Sequence, residues 1–220
     1  MSRISMEEPP LNVVQSLLQA FHPHAEELGF FLNWSRFRQS IASSMPPLPV
    51  LKMSVYLWGA NLSGSDSLTT DEANFLASAL RHAMSPPGQQ LHHVIQLIQA
   101  SVLISTYFFR QNRVMEGQYH AGTAVSLSMA VGLHKIRSSN ANSATFVAGV
   151  VHPPPVDQIE EGERIRAFWA VFFLSTCWSV SSELVSAITS DNGMQVDTPW
   201  PLDMMQYERV SPPHILSDAH

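Results

Sequence analysis

"YHAGTAVSLSMAVGLHKIRS", residues 119–138, is helical in its spacing, poor in bulk and closed by a glycine. With Gly117 just upstream, Ala121, Ala124 and Ser128 fall three or four apart, so they share one helix face that carries almost no side-chain volume. A neighbouring helix can approach closely there. Gly132 is placed to end the helix as a left-handed cap, with Leu133 folding back toward Leu127 and with Lys135 and Arg137 beyond the negative end of the helix dipole. The stretch is expected to pack between the helix before it and the helix after it.

The segment before it, residues 89–110, is apolar nearly all round, which predicts a helix at the centre of a bundle. The segment after it, from 157 to about 188, opens with Asp157, Glu160, Glu161 and Glu163, where the N-terminal dipole favours acids, and Glu160 stands four residues before Arg164. Ile165, Phe168, Trp169, Phe172, Phe173, Cys177 and Val180 then recur at helical spacing and are expected to be buried, with Cys177 as a small core residue. The small, polar, proline-ended stretch at 138–156 reads as a connecting loop.

Further helices are predicted over 11–21, 35–43, 48–61, 70–84 and 113–131. At "TTDE", Thr69 and Glu72 suit a capping box, and Phe75, Leu76, Ala79, Leu80, Ala83 and Met84 form one apolar stripe behind it. Prolines cluster between these segments, and no Asn-Gly or Asp-Gly pair separates alternating runs. The expected class is all-α, an irregular bundle of about seven or eight helices.

Composition sets the outer limits. The chain has 220 residues, of which 45% are apolar, enough for one globular unit with a single core or two lobes sharing it. Charged residues are only 14%, well under the usual quarter, so much of the chain must be buried in itself or against a partner. A net charge of -6 offers no basic face to phosphates, which argues against autonomous DNA binding. Cys177 is the one cysteine, so neither a disulfide nor a cysteine zinc site can form within the chain, and a reducing compartment fits. The opening "MSRISMEEPPLN" has no apolar run of the secretory type, and the apolar runs at 94–109 and 167–180 fall short of the roughly 20 residues needed to cross a bilayer.

Catalytic and metal patterns are weak throughout. Ten histidines include His22 and His24 around a proline and the pair His92 and His93, but there is no HExxH, and these read as exposed or hydrogen-bonded side chains. No Gly-x-Ser-x-Gly elbow and no phosphate-cradling glycine loop occurs, and "GSDS" at 64–67 reads as a turn. Arg36 and Arg38 read as a solvated face. The aromatic group Phe168, Trp169, Phe172 and Phe173 suits core packing and equally the wall of a small-molecule pocket between helices.

Taken in order, "RQNRVMEGQYHAGTAVSLSMAVGLHKIRS", "EEGERIRAFWAVFFLSTCWSV" and "VDTPWPLDMMQYE" resemble the fungal-specific transcription factor domain, the middle homology region of fungal zinc binuclear cluster regulators. "ELGFFLNWSRFRQS" and "VYLWGANLS" upstream are similar to its basidiomycete branch. The resemblance covers about 21–208, with a partly helical segment at 1–20 before it and a tail at 209–220, expected to be truncated, after it. It implies an all-helical regulatory domain of the nucleus rather than an enzyme.

By the same resemblance, the family's Gly-Leu-His corresponds to Gly132, Leu133 and His134. Its arginine and aromatic helix opening corresponds to Arg164, Arg166, Phe168 and Trp169, and its Asp-x-Pro-x-Pro to Asp197, Pro199 and Pro201. These are expected to hold the fold and shape a regulatory surface, not to form a catalytic, metal or DNA-binding set. Zinc belongs to the six-cysteine cluster of relatives, which this sequence lacks, so no cofactor and no direct DNA contact carries over. The implied partners are transcriptional co-regulators, other parts of a longer polypeptide or a small-molecule effector, with no membrane. The sequence departs from the family at Ser175 and Thr176, where relatives have an acid and a base, and around Glu183 and Val185. A helical small-molecule-binding protein or an enzyme without a recognisable motif is the alternative reading.

Overall fold

The computed structural model describes residues 9–64, 68, 71–85, 90–137, 145–147, 150–181 and 196–210. Among them run eight α-helices: α1 (Leu11–Phe21), α2 (Trp34–Ile41), α3 (Pro49–Leu62), α4 (Glu72–Ala83), α5 (Leu91–Arg110), α6 (Val114–Ala130), α7 (Gln158–Ser181) and α8 (Met204–Val210). The class is all-α, as the spacing predicts. None of the described helices is long and apolar enough to cross a membrane.

The expectation for residues 89–110 holds: α5 is buried on every side, and it divides the interior into two apolar clusters. Leu97, Leu103, Ile104 and Phe108 face the first, built with α1, α3 and α4, while Val94, Ile98, Val102 and Phe109 face the second, built with α6 and α7. Polar side chains of the same helix hold the flanking loops. Gln99 Oε1 accepts from Phe31 N at 2.7 Å while its Nε2 donates to Gly29 O at 3.1 Å, and Gln96 Oε1 accepts from Leu48 N at 2.6 Å. Buried amides must be paired in this way, because each unpaired group costs about 1–3 kcal/mol.

In the first cluster α3 is buried without interruption from Val50 to Ala60, a second central helix. Its Trp58 Nε1 donates to Leu103 O at 3.0 Å, and its Gly59 lets α1 approach so closely that a Cβ there would lie 2.4 Å from Leu17 O. α4 begins at Glu72 with Asp71 at its N-cap and no side-chain cap bond. Glu72 Oε1 accepts from Asn61 Nδ2 at 3.1 Å and from Tyr107 Oη at 2.5 Å, which ties the start of α4 to α3 and α5. Thr69 lies outside the described residues. Phe75 and Ala79 are buried as expected, but Met84 is 88% exposed because the helix ends before it.

The small-residue face of α6 does what its spacing predicts. Gly117, Ala121, Ala124 and Ser128 are buried against α5 and α7, Ser105 Oγ donates to Gly117 O at 2.7 Å, and a Cβ on Gly117 would meet the Phe109 ring at 2.6 Å. Gly132 follows in the left-handed region at φ 69°, and Leu133 enters the second cluster, against which Leu127 also packs. The connection to α7 contains more than a plain loop: Thr145–Val147 pairs antiparallel with Val150–His152, Val147 opposite Val150. β-Branched residues on both sides favour this short ribbon.

Candidate functional site

An open groove of about 650 Å³ lies among the described residues. The Glu26–Phe31 loop forms one wall and is pinned to α5 by Gln99, with Gly29 at φ 80° turning the chain. Val102 and Thr106 of α5 contribute to the floor. α7 forms the opposite wall with Arg166, Trp169, Phe173 and Cys177, and Pro201 to Asp203 close one end.

The α7 wall corrects one expectation and explains it. Ile165, Phe168 and Val171 face the core, as do Ala167 and Leu174, but Phe173 is 69% exposed and Cys177 is exposed too. At 100° per residue the groove-lining set lies nearly opposite the core set, so α7 has two apolar faces of which only one is covered. Cys177 is therefore not a core residue. Of the aromatic group weighed as a pocket wall, Trp169 and Phe173 line the groove, Phe168 is fully buried and Phe172 packs against the second cluster. Val180's side chain lies outside the described residues.

Arg166 joins the two rims. Its Nη2 donates to Glu26 Oε1 and its Nη1 to Leu202 O, both at 3.2 Å, so one guanidinium spans the loop after α1 and the segment before α8. Trp169 fixes the same segment by a second route: Nε1 donates to Pro199 O at 2.6 Å and its ring stacks on Trp200 with centroids 4.3 Å apart. Tyr207 of α8 lies over Gly162 of α7, where a Cβ would fall 2.6 Å from the Tyr207 ring, and its hydroxyl accepts from Leu202 N at 3.2 Å.

The expected site residues thus separate into four places. Arg166, Trp169, Pro199 and Pro201 come together at the groove. Gly132, Leu133, His134 and Asp197 meet at the end of α6, where Asp197 N donates to His134 O at 2.7 Å, Arg137 N to Asp197 O at 3.1 Å and Thr198 Oγ1 to Leu133 O. Burial and the neighbouring Lys135 hold the His134 imidazole below its usual pKa. Phe168 lies in the core, and Arg164 is turned away toward Glu160 Oε1 at 2.6 Å and Pro153 O at 2.9 Å.

A polar seam beside Arg164 has no counterpart in the sequence reading. Asn33 caps α2 by accepting from Arg36 N at 2.9 Å, and it also donates from its backbone to Glu163 Oε1 at 2.8 Å and from Nδ2 to Glu208 Oε1 at 2.6 Å. Arg36 is no mere solvated residue, since it grips Asp157 with both Nη atoms at 3.1 and 2.5 Å. That hydrogen-bonded pairing holds the Asp157 carboxyl below its ordinary range. Burial has the opposite effect on Glu163 and pushes it up to about 7, with the Asn33 N–H and Arg36 only partly offsetting it. Sequence separations of 121 to 175 residues put these pairs beyond any local pattern.

Among the described residues, no three His, Cys, Asp or Glu side chains gather as a metal site. No curated protein and no solved structure matches the chain. A family model described as the fungal specific transcription factor domain matches residues 14–214, a span that takes in every helix from the middle of α1 to the end of α8. The capped α6, the groove-bearing α7 and the Asp197–Pro201 arm packed on both therefore belong to a member of the fungal specific transcription factor domain family.

Proposed function

We propose that this chain is the regulatory, non-DNA-contacting domain of a fungal zinc-cluster-type transcription factor, acting in the nucleus, and that the groove between the Glu26–Phe31 loop and α7 is where an effector acts. The carrying observation is Arg166, which links Glu26 to Leu202 across the groove. An occupant that competes with either link shifts the arm at 197–203 and α8 relative to the helical body. Regulation is then a population shift between two settings of that arm, driven by differential affinity for them. Zinc and DNA contacts fall to the six-cysteine cluster of such factors, outside this chain. Intramolecular contacts and co-regulators would read the arm's position.

The test fuses the chain to a heterologous DNA-binding domain and measures reporter transcription. Ala170→Phe, on the groove wall one turn beyond Arg166, fills part of the cavity and crowds the Arg166 links as an occupant would. Reporter output should change at unchanged protein level and unchanged helical circular dichroism. Equal output from wild type and variant would remove the groove from regulation. A chain that bound small molecules there with no change in output would be a carrier instead.

A further inference from the structure

We infer that the groove takes a small apolar molecule bearing a single cationic group. This deepens the regulatory reading above and rests on it. A volume of about 650 Å³ suits a drug-sized molecule. Trp169, Trp178 and the exposed Phe173 line the walls, with Trp169 stacked on Trp200 and Trp178 on Phe109 by one face each. Aromatic faces attract a cation as well as an apolar body.

The charges decide the sign. Glu26, Glu27 and Asp203 line the groove with Arg166 as their counter-charge. The Arg166 Nη atoms already hold Glu26 and the Leu202 carbonyl, so one engaged guanidinium stands against three carboxylates. Glu27 pairs with His24 Nδ1 at 3.7 Å and is 82% exposed, and Asp203 is exposed, using Oδ1 to accept from Met205 N at 2.8 Å. The mouth is therefore net acidic above an aromatic interior. An anionic ligand would meet these carboxylates without a free guanidinium to compensate, whereas an ammonium gains both the carboxylates and the rings.

Isothermal titration calorimetry on the full chain, using naphthylmethylammonium, naphthylacetate and the uncharged naphthylethanol, separates body from charge. The ammonium should bind roughly five-fold or more tighter than the acetate at low salt, and the preference should shrink as salt screens the mouth. The double variant E27Q/D203N leaves the Glu26–Arg166 link intact, keeps one amide oxygen at each position and removes both other charges. Its ammonium-to-acetate affinity ratio should fall toward one, a ratio in which any change common to the naphthyl body, read with naphthylethanol, cancels. Equal or tighter acetate binding, or a full preference surviving in the double variant, overturns the inference. Failure of all three compounds to bind overturns it as well. The groove's regulatory role then stands or falls separately on the Ala170→Phe reporter.

Discussion

Trp169 donates its indole N–H to the Pro199 carbonyl at 2.6 Å, thirty residues on, and stacks the same ring on Trp200. One side chain of α7 thereby supplies both a polar and an apolar anchor for the arm that closes the groove. Trp200 itself is 76% exposed, so the stack covers only one of its faces.

Trp169→Phe keeps a ring in place and removes the donor. We expect a loss of about 1 kcal/mol in stability from the unpaired carbonyl. The sharper readout is limited chymotrypsin digestion: cleavage after Leu202 should accelerate well beyond the global change, the Trp200–Pro201 bond being resistant to the protease. Unchanged cleavage would mean that the arm is held by its other links, at Arg166, Leu133, His134 and Tyr207, without the indole N–H.

Two helical glycines should respond in opposite directions. Gly59→Ala drives a Cβ into backbone of α1, with Leu17 O at 2.4 Å and Leu17 Cα at 2.8 Å, and neither can rotate away. The expected cost exceeds about 2 kcal/mol. Gly122→Ala meets nothing within 4 Å on the exposed side of α6 and should stabilise by about 0.5–1 kcal/mol. Urea denaturation of both variants checks the sign.

Gly132→Ala isolates backbone conformation, because its Cβ would also meet nothing within 4 Å while φ stays at 69°. The expected penalty is about 1 kcal/mol, and Gly132→Asn should cost less, since asparagine tolerates the left-handed region. A penalty equal for both residues in thermal melts would place the cost elsewhere than in the cap.

Glu163 makes stability depend on pH. Its folded pKa, about 7, lies above the ordinary 4.5, so between these values the folded chain holds a proton that the unfolded chain has released. The resulting stability is fully present below pH 4.5 and is lost as pH rises through about 7. Glu163→Gln keeps an oxygen for the Asn33 N–H and has no charge to bury. It should be more stable than wild type by roughly 1–3 kcal/mol at pH 8, with a flatter profile between pH 5 and 7. Parallel profiles for the two proteins would refute this account.

The helical framework was legible because period and punctuation agree. α1 falls on its predicted bounds, α5 is central as its all-round apolarity requires, and Gly132 is the cap its position suggests. Other features were hidden for identifiable reasons. α3 carries Lys52, Ser54 and Asn61 among its apolar residues, which disguises a helix buried along most of its length. On α7, periodicity shows which residues are apolar but not which apolar face a neighbour covers, so Phe173 and Cys177 were placed inside when they border a groove. α8, short and preceded by "TPWPLD", offers too few turns for a periodic signal. Of the site, Arg166, Trp169 and the Pro199–Pro201 segment were identifiable by resemblance. Glu26 and Asn33 were not, since their roles come from partners more than a hundred residues away.

The position of α5 in both apolar clusters has a consequence for synthesis on the ribosome. α1 through α4 emerge first and pack on α3, with the Tyr56 ring against Phe75, but the remaining wall, including the Leu103 carbonyl for Trp58, is translated only with residues 91–110. Until that helix clears the exit tunnel, the Trp58 side of α3 stays uncovered. The nascent chain through α4 should therefore be a chaperone client, released only when the whole of α5 has left the tunnel.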